Sequence, residues 1–292
     1  MNDKKVKLSN LDKMIFPDSK YTKKDIIDYY KKVSKYILPH LKNRPVTLER
    51  YPDGITESGF YQKQKSDYFP EWINSYKVNN KDGSKTDYVL INNLDSLIYL
   101  ANQAVITPHI WLSKKDNINK PDKIVFDLDP AENNYKNLII IAKEIKKYIE
   151  SLDLNVFVMN TGSNGLHIIV PINPEFTFAK IHDISKKIAK DIVGKNREIA
   201  TIEQRKDKRE GKVFIDYLRN SYGQTSVTPY AIRPKEKAPI ATPLDWEELS
   251  DKSFNPQKYT INNIFRRISQ KKDPWENIYQ KRKSLADFIN NE

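Results

Sequence analysis

The strongest constraint on this chain lies between Lys123 and Tyr217, where its hydrophobic period switches repeatedly between that of a strand and that of a helix. Lys123–Leu128 (KIVFDL) reads as a short apolar strand, and Asn137–Ile149 as an amphipathic helix. Leu154–Met159 (LNVFVM) is the next strand. The turn Thr161-Gly162-Ser163-Asn164-Gly165 then leads into a strand over Leu166–Val170, a helix over Phe178–Val193 and a strand over Lys212–Tyr217. Only an α+β layer accommodates that order, with the helices covering one face of a sheet.

The order strand, helix, strand, strand, helix, strand predicts a sheet of the RNA-recognition type. Ahead of it, Tyr21–Leu41 reads as a helix, with Thr22 as N-cap and Asp25 at the third position in a variant of the capping box. Pro45–Arg50 (PVTLER) is a strand closed by the turn Pro52-Asp53-Gly54. Strand-like pieces recur near Val89–Ile91, and Leu94–Ile106 reads as a helix. Two helices are expected after Pro256, with Asp273-Pro274 between them. A composition shift near residues 113–122 divides an N-terminal module (about 1–115) from a catalytic module (about 120–250) and C-terminal helices (about 255–290), all within one domain over 1–292. The expected fold is therefore α+β: a core with an RNA-recognition-like sheet packed against an N-terminal α/β module.

Composition narrows the function. The formal net charge is +12 over 292 residues, which favours a polyanionic partner, nucleic acid above all. A lysine-rich composition throughout the chain is the other source of such a charge. There is no cysteine, so disulfides and thiolate zinc sites are excluded. The stretch MNDKKVKLSN has no apolar core and is not expected to be a signal peptide, and no run approaches the roughly 20 apolar residues that span a bilayer. A cytoplasmic, nucleoid-associated protein with no membrane partner is expected.

The sharpest local feature is Phe126-Asp127-Leu128-Asp129-Pro130. Residues i and i+2 of a strand share a face, so Asp127 and Asp129 project together. Paired carboxylates repel unless a cation lies between them, and hard divalent ions such as Mg²⁺ or Mn²⁺ take oxygen ligands. The pattern also fits Asp residues capping a turn at Pro130. Asp216, an acid on the apolar strand VFID, needs a partner or a task. If its strand neighbours that of Asp127, three carboxylates converge as in a two-metal phosphoryl-transfer site. The turn TGSNG followed by Leu166-His167 can cradle phosphate with its amides and with the Thr161 and Ser163 hydroxyls, or be an ordinary hairpin turn. Arg219 and Arg233 suit triphosphate oxygens. Lys13, Lys23 and Lys24 lie near a helix N-terminus, a ready phosphate site. Phe60 and Tyr61, beside Lys63 and Lys65, suit base stacking. The run Arg205–Arg209 (RKDKR) reads as a solvated loop.

With these residues in view, the chain resembles the polymerase domain of DNA ligase D, a member of the archaeo-eukaryotic primase superfamily. The resemblance runs from Ser9 to about Ile268. It rests on SNLDKMIFPDSKYTKKDIIDYY, RPVTLERYPDGI, FYQKQ, IVFDLDP, TGSNGLHIIVPI and VFIDYLRNSYGQTSVTPYAIRP in that order. It implies that Asp127, Asp129 and Asp216 are the metal-binding catalytic residues, holding two ions of Mn²⁺ or Mg²⁺. It implies that Thr161, Ser163, His167, Arg219 and Arg233 contact the phosphates of a nucleoside triphosphate, and that His109 in PHIW stands at the active site. Asn10, Lys13 and Lys23 would grip the 5′-phosphate of a gapped or broken DNA end, and Phe60 and Tyr61 would meet the template. Ribonucleotide preference, a role in non-homologous end joining, the Ku protein and a separate DNA ligase as partners are implied in the same way. The chain departs from relatives at Asn164, where lysine is frequent, and at Arg219, where some carry glutamine. The function expected is a template-dependent nucleotidyltransferase that extends ends and fills short gaps. The alternatives are a primase that starts chains de novo, a metal-dependent nuclease and a non-catalytic nucleic-acid-binding module.

Overall fold

The computed structural model describes residues 6–80, 82–131 and 134–290. The start of the MNDKKVKLSN stretch and the end of the expected 1–292 domain lie outside the described residues. The chain divides into two compact units. The first is Met1–Asp116, Thr225–Ala241 and Tyr259–Phe265; the second is Asn117–Gln224, Thr242–Lys258 and Arg266–Glu292.

In the first unit the helix Lys23–Leu41 begins where its cap dictates. The Thr22 side chain accepts from the Asp25 amide and the Asp25 carboxylate accepts from the Thr22 amide, a complete capping box. Ile26, Ile27, Tyr30, Val33, Ile37 and Leu41 form its buried stripe. The sheet runs Thr225–Val227, Val105–Trp111, Pro45–Arg50, Lys85–Leu90, Ser75–Asn79, and the short strand Phe60–Gln62 also pairs with Pro45–Arg50. Every pairing in it is antiparallel.

The expected helix over Leu94–Ile106 is too long. The helix is Leu94–Asn102, and Val105 and Ile106 open a strand instead. Ala104 takes a left-handed φ of 59°, which ends the helix, and the β-branched run Val105-Ile106-Thr107 favours the pleated sheet that receives it.

The second unit has the expected order: strand Lys123–Asp129, helix Tyr135–Ser151, strands Phe157–Asn160 and Leu166–Pro171, helix Phe178–Lys195, strand Val213–Asp216. In space the strands run Val213–Asp216, Lys123–Asp129, Leu166–Pro171, Phe157–Asn160, flanked by Ala200–Thr201 and Pro243–Leu244. The strand that comes first in the chain thus lies between the third and the fourth, which is the RNA-recognition arrangement. Leu138, Ile141, Ile145 and Ile149 of one helix and Ile181, Ile184, Ile188 and Ile192 of the other are buried, each contributing about 1.5–3 kcal/mol relative to exposure. Both helices contact the strand Lys123–Asp129. Alternation gives that strand an uncharged face of Ile124, Phe126 and Leu128, and a second face bearing Asp127 and Asp129. After Pro256 come the helices Ile264–Gln270 and Ala286–Asn290, with a short 3-10 turn, Ile278–Gln280, between them. No helix among the described residues is long and apolar enough to cross a membrane.

Candidate active site

In the second unit the antiparallel register sets Asp216 opposite Asp127 and Phe214 opposite Asp129. On the other side His167 stands opposite Asp127. Asp127 is the hub. Its Oδ1 lies 3.4 Å from His167 Nε2, and its Oδ2 lies 3.2 Å from Arg219 Nε. The same Nε is 3.5 Å from Asp216 Oδ2, so one guanidinium spans two carboxylates. Arg219 is seated there by the fold. Its turn, Leu218–Asn220, is tied to the Asp127 strand by the buried Asn220, whose amide group donates to Val125 O and accepts from Val125 N, each at 2.8 Å. The Leu218 amide donates to Asp216 Oδ1 at 2.8 Å.

The electrostatics are lopsided. Burial pushes Asp127 up, but the charges and hydrogen bonds of His167 and Arg219 outweigh it and hold the carboxyl well below its usual range. Burial and the repulsion of Asp127 leave Asp129 well above that range, even with Arg209 and His167 opposing. Burial also raises Asp216, against the pull of Arg219. Two of the three carboxylates are therefore held above their usual range even with the guanidinium groups nearby. Among the described residues, no group of three or more His, Cys, Asp or Glu side chains is gathered as it would be around an ion. The expected neighbouring of the aspartate strands is present, but Arg219 stands between Asp127 and Asp216.

The turn before His167 is tightly built. The Thr161 hydroxyl donates to Gly165 O (3.1 Å) and accepts from the amides of Ser163 (3.2 Å) and Gly165 (3.3 Å), so it serves the turn itself. Gly162 takes a φ of +64°, which glycine adopts without strain. At Gly165 a Cβ would lie 2.0 Å from Leu128 O and 3.4 Å from Asp129 Oδ1, so only glycine lets the turn lie against the aspartate strand. His167 Nδ1 is buried with no hydrogen-bond partner.

The remaining candidates belong to the first unit. Asn10, Lys13 and Lys23 come together through the backbone: Lys13 N donates to Asn10 O (3.1 Å) and Lys23 N to Lys13 O (2.8 Å). Burial and the nearby charge of Lys13 lower the Lys23 pKa. The Lys13 ammonium pairs with Asp53 at 2.7 Å, and that of Lys23 donates to Asn102 O at 3.2 Å. Phe60 and Tyr61 are exposed, at 45% and 62%. The Arg50 guanidinium lies over the Phe60 ring at 5.4 Å, and Tyr61 meets the His109 ring edge-on at 5.6 Å.

Two side chains that meet the candidate residues were not singled out in the sequence. Glu49 is 5% exposed and lies 2.8 Å from His109 Nε2, within the field of Arg233. Its signal was the one that marked Asp216, an acid on an otherwise buried strand. Arg209, expected in a solvated loop, packs its guanidinium 3.8 Å from the Phe214 ring centroid, and its charge reaches Asp129.

A family model described as LigD, primase-polymerase domain, matches residues 22–275. The multifunctional non-homologous end joining protein LigD of Mycolicibacterium smegmatis is 32% identical over 250 residues, covering 85% of this chain and 33% of that protein. The bifunctional LigD of Bacillus subtilis is 32% identical over 278 residues, 94% of this chain and 44% of that one. The chain thus spans less than half the length of these curated relatives. Among solved structures, the polymerase domain from Mycobacterium tuberculosis ligase D in complex with DNA superimposes with a TM-score of 0.90 at 28% identity, covering 96% of this chain and 100% of that one. The core strands, the Asp127–Asp129 pair and the turn before His167 all lie within the matched residues, and the chain belongs to the LigD primase-polymerase domain family.

Proposed function

We propose that this chain is a template-dependent nucleotidyltransferase of the primase type. It extends broken DNA ends and fills short gaps in non-homologous end joining, with a preference for ribonucleotides and two divalent ions, Mn²⁺ or Mg²⁺. The observation that carries the reading is the placement of three carboxylates, with Asp216 in register with Asp127, Asp129 two residues on, and both Asp129 and Asp216 held above their usual pKa range. Family membership supports it, as does the DNA held by the mycobacterial polymerase domain.

The donor set fits a hard divalent cation: three carboxylates on adjoining strands, two of them held above their usual pKa range by burial and repulsion. Asp127, Asp129 and Asp216 would hold the metal, which when bound supplies Lewis-acid activation of the attacking hydroxyl and charge stabilisation of the leaving pyrophosphate. Arg219, released from Asp127 and Asp216, turns its guanidinium to the triphosphate. His167 keeps Asp127 oriented. The TGSNG turn, stiffened by Thr161, presents Ser163 to phosphate. On the first unit, Arg233 and His109 serve as nucleotide contacts, Asn10, Lys13 and Lys23 hold a 5′-phosphate, and Phe60 and Tyr61 stack on template bases. The chain works as one primase-polymerase domain in the cytoplasm at the nucleoid, with Ku and a separate ligase as partners.

Primer extension on a 5′-phosphorylated gapped duplex tests this, with Mn²⁺ or Mg²⁺ and with ribo- or deoxyribonucleotides. Templated, metal-requiring addition that improves with the 5′-phosphate and favours ribonucleotides is expected. Product only on bare single-stranded template would make the chain a primase, and no product on either would make it a binding module.

A further inference from the structure

The Glu49 cluster lies entirely within the first unit. Glu49 sits in the strand Pro45–Arg50, between Val105–Trp111 and Phe60–Gln62. It pairs with Thr107 on one side and Tyr61 on the other, while Thr47, two residues back and on the same face, pairs with His109. The Glu49 carboxylate meets His109 Nε2 at 2.8 Å and accepts from the Tyr51 hydroxyl at 3.4 Å. Burial alone would raise its pKa, but His109 and then Arg233 reverse this, so Glu49 is held ionised below the ordinary range. Two buried polar atoms beside it have no hydrogen-bond partner, Thr47 Oγ1 and Arg233 Nε. The cluster is therefore internally paired around Glu49, yet keeps unspent donors in Thr47 and Arg233.

A lone carboxylate next to a nucleotide would repel its phosphates. Clamped to an imidazole and under the charge of an arginine, it instead orients the ring and favours its protonated form, as carboxylates do for histidines in many sites. We propose that Glu49 is a positioning residue: its carboxylate fixes the His109 ring as a cationic donor, so that His109 and Arg233 together receive the incoming nucleotide. The inference rests on the nucleotidyltransferase reading above and adds to it a residue outside the metal-binding and phosphate-turn groups. Glu49 and Tyr61 meet His109 directly, Tyr51 and Arg233 act on both of them, and in register the strand Thr225–Val227 places Val227 opposite His109.

The test compares the full chain with Glu49→Gln, Glu49→Asp, His109→Gln and the Glu49→Gln/His109→Gln double variant. Extension kinetics on the gapped duplex are read from pH 6 to pH 9, and the imidazole titrations are followed by NMR. Glu49→Gln is expected to raise KM for the nucleotide roughly 10-fold with kcat changed by less than about 3-fold, more severely at high pH, because an unpaired His109 loses its proton earlier. The His109 titration should shift down by about one pH unit or more, with Glu49→Asp in between. The double variant should be no worse than His109→Gln, since the carboxylate acts through the ring. An unchanged His109 titration in Glu49→Gln, or additive losses in the double variant, overturns the proposal. Should Glu49→Gln not fold, Glu49→Asp decides: a wild-type titration there overturns it. No nucleotide addition by the wild-type chain defeats the nucleotidyltransferase reading itself. Normal addition by the wild-type chain and by Glu49→Gln alike defeats only the role of Glu49.

Discussion

The two units handle buried carboxylates in opposite ways. In the first, Glu49 is matched: against its burial, His109 and Arg233 hold its pKa down. In the second, Asp127 claims His167 and Arg219, while Asp129 and Asp216 are left raised by burial and by the charge of Asp127. A matched carboxylate is finished and can only orient its partners. An unmatched set stores repulsion that an arriving cation relieves, which is the condition of a metal site before loading. Under the proposed function the chemistry falls to the strained group, and the relaxed one supports it.

The largest expected effect breaks the strained side outright. Asp127→Ala removes the hub that His167 and Arg219 grip, and nucleotide addition should fall by about 10³-fold or more, while DNA affinity in a gel-shift titration stays within about 2-fold. Normal incorporation by this variant would remove Asp127 from the metal site.

The sharpest form of the comparison applies one kind of change to both sides, in chelator. Glu49 has a lowered folded-state pKa, so its ionised form contributes stability above its ordinary pKa, and that contribution is lost as pH falls through the folded value. Glu49→Gln should therefore cost about 1–3 kcal/mol at pH 7.5 and less near pH 4. Asp129 has a raised folded-state pKa, so its ionised form costs the folded protein stability at neutral pH and nothing below its unfolded pKa. Asp129→Asn should stabilise by about 1–2 kcal/mol at pH 7.5, seen as about 2–6 °C in Tm, and the gain should vanish by about pH 4. Thermal melts at both pH values check this; equal signs for the two variants would erase the distinction between the units.

Smaller effects refine each side. Replacing Lys13 and Lys23 together with Ala should weaken binding to a 5′-phosphorylated gap roughly 10-fold more than to an unphosphorylated one, measured by fluorescence anisotropy across salt. Equal losses would make them general charge. Arg219→Gln withdraws the guanidinium that spans Asp127 and Asp216, and should tighten Mn²⁺ binding about 5-fold by EPR titration while weakening the nucleotide. Weaker Mn²⁺ binding would show that Arg219 props the carboxylates rather than competing for them.

The sequence determined what local chemistry controls. Thr22 and Asp25 set the start of the first long helix because a capping box closes within four residues. Asp127 and Asp129 share a face because alternation is a property of the strand itself, and Asp216 announced itself as an acid in an apolar run. Tertiary structure decided what depends on partners distant in the chain. The pairing of Glu49 with His109 joins residues 60 apart, and the reach of Arg219 to Asp127 joins residues 92 apart. Neither follows from spacing, because strand order and register are chosen by burial of whole faces rather than by neighbouring residues. The same holds for the helix that stops at Asn102: its apolar pattern continues into Val105 and Ile106, but the antiparallel pairing of Val105–Trp111 with Pro45–Arg50 outweighs one more helical turn, and only the assembled sheet offers that pairing.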